Sequence, residues 1–467
     1  MTKKFDTVVI GSGPGGYVAA IRASQLGQKV AIIERENLGG ICLNWGCIPT
    51  KALLKSSEIK HMIENAEAFG IKAEITDINP AKIVERSRNV SSNLNQGIGF
   101  LMKKNNVEVI EGFAKFVSDT EVDVELTAGG NETVFADNFI VATGARAKEI
   151  PGFLEADGDK IWTYRHAMTQ KSFPESLLVI GAGAIGVEFG SFYNTFGTKV
   201  TIVEAQDTVV PIEDKEISKI VGKSFKEQGM DLKLKTSVKA IDKSCDKVKV
   251  TLSKGNKEEV IEVSNVLVAI GVTPNTEKLG LETVGIATDE RGFIKVDEYY
   301  RTNVDGITAI GDVIGGALLA HVASHEGIIC AEGLAGGHPH LMNYDNIPGC
   351  TYCHPQVGSV GLTEEKAKEK GLNYRVGRFN YQANGKAQAT GDSDLGLVKT
   401  IFDKETGELL GAHIVGHEAT EMITTFVLAQ SLEATDESIA QACLPHPTLS
   451  EMLGESVLDS LGRPLNS

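Results

Sequence analysis

Cys42 and Cys47 are the residues whose types and spacing most directly indicate chemistry, because two nearby thiols can carry electrons by opening and closing a disulfide. In a regular helix this spacing places the Cα atoms roughly 8–9 Å apart, beyond the ~7 Å limit for a disulfide. The pair can therefore bridge only where the helical turn is distorted, and Gly46 permits a distortion. A strained, accessible disulfide is the reducible kind, so the segment ending at Lys51 predicts a redox centre. Two unrelated buried thiols are the alternative.

His446 is the histidine whose surroundings best indicate acid–base chemistry. Pro445 and Pro447 flank it and restrict the backbone on both sides. Glu451 lies where a helix that begins after the second proline could return its carboxylate to the imidazole. A carboxylate that orients a histidine makes a general base near neutral pH. The alternative is a histidine at a helix entry beside a solvated glutamate, and the sequence leaves both open.

A glycine-rich loop precedes the cysteines. An apolar run that predicts a buried strand leads into Gly11, Gly13 and Gly16, and the next predicted strand ends at Glu34. The spacing from first glycine to acid is 23 residues (34 − 11), close to the roughly 20 of a dinucleotide-binding unit. The glycines form the turn and let a pyrophosphate approach a helix N-terminus, and the acid binds ribose hydroxyls. A chance glycine turn is the alternative.

The same unit recurs 170 residues later (181 − 11). Gly181, Gly183 and Gly186 follow another predicted strand, and Glu204 ends the next, again after 23 residues (204 − 181). Two units predict two dinucleotides on one chain, and hence an enzyme that transfers hydride between cofactors. No Arg or Lys immediately follows Glu204, which favours NAD over NADP.

These elements predict an α/β fold with two duplicated Rossmann-like dinucleotide-binding domains, a central domain and a C-terminal α+β domain. Helical patterns occupy about 51–104, and a β-rich stretch follows at about 107–135. A later strand ends at Asp312, whose carboxylate could reach a cofactor hydroxyl. Because this strand follows the second glycine unit in the chain, we expect residues beyond that unit to complete the first dinucleotide-binding domain. We place the domains at 1–147, 148–275, 276–345 and 346–467.

Composition limits the function classes. The formal net charge of −16 over 467 residues argues against a nucleic-acid partner and leaves room for a basic protein partner. Seven cysteines, an odd number, do not fit a disulfide-stapled secreted fold. No apolar run reaches the roughly 18 residues of a membrane span. The amino terminus lacks targeting features, so we expect a cytoplasmic location, or the mitochondrial matrix for a processed organellar protein.

Two other patterns resemble metal or haem sites. Cys350, Cys353 and His354 match the spacing of covalent haem attachment, but without an export signal they are better interpreted as reduced thiols, or less readily as a second redox pair. His321 and His325 have zinc-binding spacing without a recognisable third ligand. We therefore predict no metal site.

The motifs resemble one known family over essentially the entire chain. The segment Gly39-Gly40-x-Cys42-x4-Cys47-Ile48-Pro49-x-Lys51, the duplicated folds and His446-Pro447-Thr448-x2-Glu451 resemble class I pyridine nucleotide–disulfide oxidoreductases. The nearest branch oxidises dihydrolipoamide within 2-oxo acid dehydrogenase complexes. The resemblance implies FAD and NAD⁺ as cofactors, a homodimer paired through the last domain, and a lipoyl-bearing acyltransferase as partner.

The resemblance also implies residue roles. Cys42 is the expected interchange thiol, Cys47 faces the flavin, and Lys51 lies near the flavin and pairs with Glu188. His446, with Glu451, is expected to act on the disulfide of the other subunit. The implied FAD positions, besides Lys51 and the segment 34–42, are Gly11, Gly13, Gly16, Glu34, Ala114, Ala142, Thr143, Gly144, Asp312, Leu318, Leu319, Ala320 and His321. The implied NAD positions are Gly181, Gly183, Gly186, Glu188, Glu204, Val238 and Gly271. Ala114 replaces a glycine often found there.

Other readings compete with this one. An NADPH-dependent, glutathione reductase-like enzyme would carry tyrosine at the position of Ala184 and arginines after the second strand, and this chain has neither. A mercuric reductase would end in a cysteine pair, which is absent. A non-catalytic binding protein has no need of the complete set Cys42, Cys47 and His446.

Overall fold

The computed structural model describes residues 3–466. Met1 and Thr2, part of the amino terminus expected to lack a targeting signal, lie outside this range, as does Ser467. The chain forms two compact units. The first comprises the chain up to Leu53, Asn79–Lys148 and Gly271–Met342; the second comprises Leu54–Ile78, Glu149–Ile270 and the chain from Asn343 onward.

The strands of the described residues are β1 (Lys3–Ile10), β2 (Val30–Glu34), β3 (Glu108–Ser118), β4 (Glu121–Leu126), β5 (Asn131–Val141), β6 (Ala145–Ala147), β7 (Ile161–Trp162), β8 (Ser176–Ile180), β9 (Lys199–Glu204), β10 (Asp231–Leu234), β11 (Ser237–Asp242), β12 (Val248–Lys254), β13 (Lys257–Val263), β14 (Asn265–Val268), β15 (Val272–Pro274), β16 (Ile307–Ala309), β17 (Gly349–Thr351), β18 (Gln356–Gly361), β19 (Tyr374–Asn380), β20 (Leu397–Asp403) and β21 (Leu409–Gly416).

The α-helices are α1 (Pro14–Gln25), α2 (Gly40–Trp45), α3 (Cys47–Glu64), α4 (Pro80–Lys104), α5 (Tyr164–Ala167), α6 (Ala184–Thr195), α7 (Lys215–Glu227), α8 (Leu281–Val284), α9 (Ala320–Leu334), α10 (Glu364–Glu369), α11 (Gly385–Thr390), α12 (Ala419–Ser431), α13 (Asp436–Ala440) and α14 (Glu451–Ser460). Short 3-10 helices occur at Ala66–Phe69, Gly311–Ile314, Tyr344–Asn346 and Tyr381–Ala383. No helix among residues 3–466 is long and apolar enough to cross a membrane.

The first unit is built on a parallel sheet in the order β3-β2-β1-β5-β16, with β4 running antiparallel between β3 and β5. The buried ends of its central strands are rich in Val and Ile because both faces of the sheet are covered, as in parallel sheets generally. Ile10 pairs with Ile33 and with Val141, and Val141 pairs with Ala309. The carboxyl ends of these four strands therefore meet at one edge, where α/β sheets bind ligands.

The second unit contains another parallel sheet, in the order β10-β9-β8-β14-β7. Strands β11, β12 and β13 form a small antiparallel sheet. The C-terminal part forms a five-stranded antiparallel sheet in the order β17-β18-β21-β20-β19. Helices α12 and α14 pack on this sheet through a core that includes Phe379, Phe402, Phe426 and Met452. The α/β class with a C-terminal α+β part, predicted from the sequence, is confirmed.

The helical region predicted at about 51–104 is interrupted. Helix α3 ends at Glu64, a 3-10 turn ends at Gly70 with φ of +76°, and non-helical residues follow up to Asn79. Helix α4 begins at Pro80 because the Asn79 side chain accepts a hydrogen bond from the Lys82 N–H and proline is favoured in the first helical turn.

Candidate redox and nucleotide-binding site

The two cysteines lie on opposite sides of a break between two helices. Cys42 belongs to α2, which ends at Trp45, and Cys47 is the first residue of α3. Gly46, between them, has φ of −144° and ψ of −114°, outside helical geometry. A methyl group at Gly46 would lie 3.2 Å from the carbonyl oxygen of Ile41, so a side chain would crowd the break. The distorted turn predicted from the spacing is therefore present.

Cys42 is half-buried and Cys47 is exposed. A hydrogen bond with Cys47, together with burial, raises the pKa of the Cys42 thiol, while the Lys51 ammonium acts in the opposite direction. Cys42 therefore needs a base, or relief of its burial, to become a nucleophilic thiolate.

The segment that carries the two cysteines, residues 39–47, contacts the first glycine loop through its backbone. The Gly39 N–H donates to the Ser12 carbonyl at 3.0 Å. Gly40, with φ of +59°, approaches so closely that a methyl group would lie 2.6 Å from Gly13 Cα. The buried Asn44 amide donates to two preceding backbone carbonyls at 2.9 Å. Because Gly39 and Gly40 lack side chains, the backbone of this segment can approach the backbone of the first glycine loop closely.

The first glycine loop is packed so tightly that side chains are excluded where the turn requires it. Gly11 has φ of +99°, and a methyl group there would lie 2.4 Å from the Ala142 carbonyl oxygen. A methyl group on Gly16 would lie 2.0 Å from the Gly11 carbonyl oxygen. Gly13, at the N-terminus of α1, has nothing within 4 Å of such a methyl group. The loop thus leaves room at a helix N-terminus, where a pyrophosphate binds.

Glu34, at the end of β2, is oriented toward this loop. Its Oε2 accepts hydrogen bonds from the Ser12 N–H at 2.9 Å and the Ser12 hydroxyl at 2.6 Å, and its Oε1 accepts from the Glu36 N–H at 2.8 Å. A carboxylate has about four acceptor positions, so one remains for a ribose hydroxyl. The remaining acceptor position of Glu34 therefore fits the predicted dinucleotide.

The second glycine loop reproduces the first. Gly181 has φ of +103° with a methyl position 2.3 Å from the Ala269 carbonyl oxygen, and the Gly186 methyl position lies 2.0 Å from the Gly181 carbonyl oxygen. Gly183 again has nothing within 4 Å. Glu204 accepts from the Ala182 N–H at 2.8 Å and from the Gln206 N–H at 2.9 Å. The duplication extends to individual hydrogen bonds.

His446 and Glu451 are joined as the sequence suggested. His446 Nδ1 lies 2.8 Å from Glu451 Oε1, and the imidazole is otherwise exposed. Glu451 is the first residue of α14, and its Oε2 accepts the Thr448 N–H at 2.8 Å. That backbone hydrogen bond, and then the one from His446, lower the pKa of Glu451. The glutamate is therefore ionised near neutral pH and orients the imidazole; Nε2 is left for other partners.

The chain matches two models of one protein family. Residues 5–327 match the pyridine nucleotide-disulphide oxidoreductase model, and residues 347–457 match the dimerisation domain of the same oxidoreductases. The chain belongs to this family. The second match indicates that this oxidoreductase forms a homodimer.

Relatives of this oxidoreductase are similar over their whole lengths. The dihydrolipoyl dehydrogenase of Zymomonas mobilis is 50% identical, with 100% of both chains covered. The dihydrolipoyl dehydrogenase of Rhizobium etli is 49% identical with the same coverage. The crystal structure of LpdA from Mycobacterium tuberculosis superimposes with a TM-score of 0.90 at 27% identity, covering 97% of this chain and 99% of that one. FAD and NAD(H) are the cofactors of this family.

The remaining predicted FAD positions lie mostly at the carboxyl edge of the first sheet. Ala142, Thr143 and Gly144 directly follow β5, and Asp312 follows β16. Asp312 stays partly exposed, yet burial and then the nearby Glu326 raise its pKa to about 6. A carboxyl group in that range can donate or accept a hydrogen bond, which fits a cofactor hydroxyl.

The other predicted positions are placed as follows. Ala114 is buried within β3, and Leu318–His321 span the start of α9, with φ of +53° at Leu318. Val238 lies at an irregularity of β11, while Gly271 begins the last segment of the first unit. Lys51 belongs to the first unit, and Glu188 and His446 belong to the second. The pairing of Lys51 with Glu188 stays a prediction, as does the action of His446 on the cysteines.

Sequence reasoning missed several residues that hold the site. Ser12 holds Glu34, and its signal was its position inside the glycine loop. Asn275 Nδ2 donates to the Thr143 carbonyl at 2.9 Å, while the Thr143 hydroxyl donates to the Asn275 carbonyl at 2.8 Å. The buried Asn384 donates to the Thr448 carbonyl at 3.1 Å, beside His446. No local pattern marks the two asparagines, because their partners are distant in the chain.

Cys350 and Cys353 are accounted for within the second unit. The Cys353 thiol is buried and donates to the Pro355 carbonyl at 3.1 Å, and the half-buried Cys350 thiol faces the Thr420 carbonyl at 3.9 Å. Between them, the Tyr352 N–H donates to Glu188 Oε1 at 3.0 Å. The described residues contain no group of three or more His, Cys, Asp or Glu suited to hold a metal ion.

Proposed function

We propose that this oxidoreductase is a dihydrolipoyl dehydrogenase, which oxidises dihydrolipoamide to lipoamide and passes the electrons to NAD⁺. The observation that carries the proposal is the pair of cysteines on either side of the Gly46 break. The segment that holds them is hydrogen-bonded to the first glycine loop. The full-length similarity to dihydrolipoyl dehydrogenases supports the choice of substrate.

The proposed reaction begins with the oxidised Cys42–Cys47 disulfide. A thiolate of dihydrolipoamide attacks Cys42 Sγ, the disulfide bond breaks, and Cys47 leaves as a thiolate. The second substrate thiol then attacks the substrate sulfur of the mixed disulfide, which releases lipoamide and leaves Cys42 reduced. Two electrons now reside in the cysteine pair.

His446 is the proposed base. It takes the protons of the attacking substrate thiols at Nε2, because Nδ1 is engaged by Glu451. The resulting imidazolium stabilises the thiolate formed at Cys42. This stabilisation matters because the hydrogen bond with Cys47 and burial raise the pKa of Cys42 and so disfavour its thiolate.

The chain's own residues would hold both cofactors. The glycines from Gly11 to Gly16 and Glu34 hold FAD, and those from Gly181 to Gly186 and Glu204 hold NAD⁺. When bound, FAD supplies the two-electron carrier between the dithiol and NAD⁺. The absence of a cation at Gln206 and Asp207, after Glu204, supports NAD⁺ rather than NADP⁺.

The partner and location belong to the same proposal. A lipoyl-bearing acyltransferase of a 2-oxo acid dehydrogenase complex would present the dihydrolipoamide. The complex would act in the cytoplasm, on carbon that comes from glycolysis. The net charge of −16 is compatible with a basic docking surface on that partner.

A steady-state comparison tests the proposal. The FAD-loaded protein is assayed with dihydrolipoamide and NAD⁺, and in parallel with glutathione disulfide and NADPH. We expect kcat/KM for the first pair to exceed that for the second by at least about 1,000-fold, since a site discriminates by differential transition-state binding. Faster turnover of glutathione disulfide would refute the assignment.

A further inference from the structure

A row of paired residues, four of which have polar side chains, crosses the C-terminal antiparallel sheet. Gly349 pairs with Ser359, Ser359 with His413, His413 with Lys399, and Lys399 with Arg378. These five residues come from five different strands and form one line, which we call the cross-sheet row. Ser359 is partly buried, and His413 and Lys399 are each only 1% exposed.

The segment 213–216 lies along the cross-sheet row. Lys399 Nζ donates to both oxygens of Asp214 at 2.9 and 3.0 Å. Arg378 contacts Glu216 through two hydrogen bonds of 2.7 and 2.9 Å. At the other end, Glu213 hydrogen-bonds with Ser359. The three acidic residues of this segment thus contact three members of the cross-sheet row.

The charges of this contact do not balance. Lys399 and Arg378 face three carboxylates, those of Asp214, Glu216 and Glu364. Burial opposes the charge of Lys399, but its hydrogen bonds to Glu364 and Asp214 raise its pKa. A fourth carboxylate charge would therefore add repulsion beside the buried Asp214.

Glu213 is the group placed to supply that fourth charge. It is 7% exposed, and its Oε2 has no hydrogen-bond partner among the described residues. The groups that face it are the Ser359 hydroxyl, the Asp214 carboxylate and the more distant Lys366 ammonium. Burial, and then Asp214, raise the pKa of Glu213 to about 7, against the opposing hydrogen bond from Ser359.

The same segment is tied to the second glycine loop. The Val210 N–H donates to the Ala182 carbonyl at 2.8 Å, and the Glu213 N–H donates to the Val210 carbonyl at 3.0 Å. The Ala182 N–H in turn holds Glu204. Val210 has φ of +41°, an uncommon and strained conformation for a β-branched residue, so contacts on both sides must hold it in place.

We propose that Glu213 is a proton-dependent positioning residue for the second nucleotide loop. With a neutral carboxyl group it lets segment 210–214 lie on the cross-sheet row and support Ala182; when ionised, it repels Asp214, loosens that segment and weakens NAD⁺ binding. The inference rests on the proposed assignment of the second loop to NAD⁺.

The sign of the linkage follows from the raised pKa of Glu213. The supported loop holds the proton more tightly than the loosened one, so support is complete below the ordinary carboxyl range and is lost as pH rises through about 7. Because NAD⁺ favours the supported loop, its binding takes up part of a proton near pH 7.

Calorimetric titration of the FAD-loaded protein with NAD⁺ tests this proposal. Between pH 6 and 8.5 we expect Kd to rise roughly threefold to tenfold, since uptake of one proton allows at most about tenfold per pH unit. In Glu213→Gln, Kd should stay near its low-pH value throughout. Glu227→Gln, a change at the far end of α7, should keep the wild-type dependence.

Two further measurements make the result decisive. Titration in buffers of different ionisation heat should detect proton uptake at pH 7 in the wild type and none in Glu213→Gln. Ser359→Ala, which removes the hydrogen bond that lowers the Glu213 pKa, should move the pH dependence to higher pH. A pH-independent wild-type Kd, or a Glu213→Gln variant that retains the dependence, overturns the proposal. Failure of NAD⁺ to bind at any pH would instead refute the nucleotide assignment.

Discussion

At the scale of single residues, the two cysteines differ in their surroundings. Cys42 is half-buried within α2, whereas Cys47 is exposed at the start of α3. Only the break at Gly46 brings them into hydrogen-bonding contact. The sequence spacing implied that a distortion was needed, and the structure places it at Gly46. The division of roles, with Cys42 facing substrate and Cys47 facing flavin, stays a prediction.

Replacement of Cys47 by serine tests that division. We expect dihydrolipoamide turnover to be abolished, because no disulfide can form, while FAD remains bound, since Cys47 lies outside the glycine loop. Visible absorbance of the purified protein and steady-state turnover are the measurements. Cys245→Ser, at an exposed thiol away from both the cysteine pair and His446, is the matched control. Loss of the flavin would count against the proposed place of Cys47.

The His446–Glu451 pair yields a second residue-scale prediction. Glu451→Gln removes the charge that stabilises an imidazolium but keeps the side-chain shape, so kcat should fall roughly 10- to 100-fold. Stopped-flow reduction by dihydrolipoamide should slow to the same extent, while hydride transfer between NADH and the flavin stays unchanged. Glu455→Gln, one turn later on α14 and bonded to Asn466, is the control. Equal slowing of both half-reactions would contradict the assignment.

At the scale of elements, the two strand–glycine–helix–strand units are near copies. In both, the first glycine has φ near 100°, a methyl group on the last would lie 2.0 Å from the carbonyl oxygen of the first, and the terminal glutamate accepts a backbone N–H from the loop. The repeated spacing of 23 residues indicated this duplication. The shared hydrogen bonds follow because the same turn leaves the same N–H groups in need of acceptors.

Matched alanine substitutions separate the two units. Gly16→Ala should abolish FAD binding, because the added methyl would lie 2.0 Å from the Gly11 carbonyl oxygen. Gly186→Ala should instead keep the flavin absorbance and weaken NAD⁺ binding by at least tenfold, with calorimetry as the readout. Gly333→Ala, where a methyl meets nothing within 4 Å, should change neither. Loss of FAD from Gly186→Ala would show that the units are not independent.

At the scale of the whole molecule, the family's dimerisation domain indicates a homodimer, and the resemblance predicts that His446 serves the cysteines of the other subunit. Lys51 and the cysteines belong to one compact unit and His446 to the other. A site shared between subunits predicts that defects in different chains can complement each other.

Complementation measures this arrangement directly. Chains with Cys47→Ser and with His446→Ala, each inactive alone, should on co-expression form heterodimers with one intact site. Random pairing predicts about a quarter of wild-type activity, since half the dimers are mixed and each has one working site of two. Cys42→Ser paired with Cys47→Ser should give none, because both defects lie in the same half-site. No recovery in the first pair would place His446 and the cysteines in one subunit.

The local sequence was sufficient to determine the chemistry-bearing turns of this protein. Glycines at Gly11 and Gly16, the acid at Glu34 and the cysteines around Gly46 are constrained by contacts within one turn or one strand–helix–strand unit, so their spacing records the geometry. Only the tertiary structure decided which distant residues support them. Asn275 reaches Thr143, and the cross-sheet row gathers residues from five strands. Strand register sets such contacts, and register depends on pairing between segments that carry no mark of their partners.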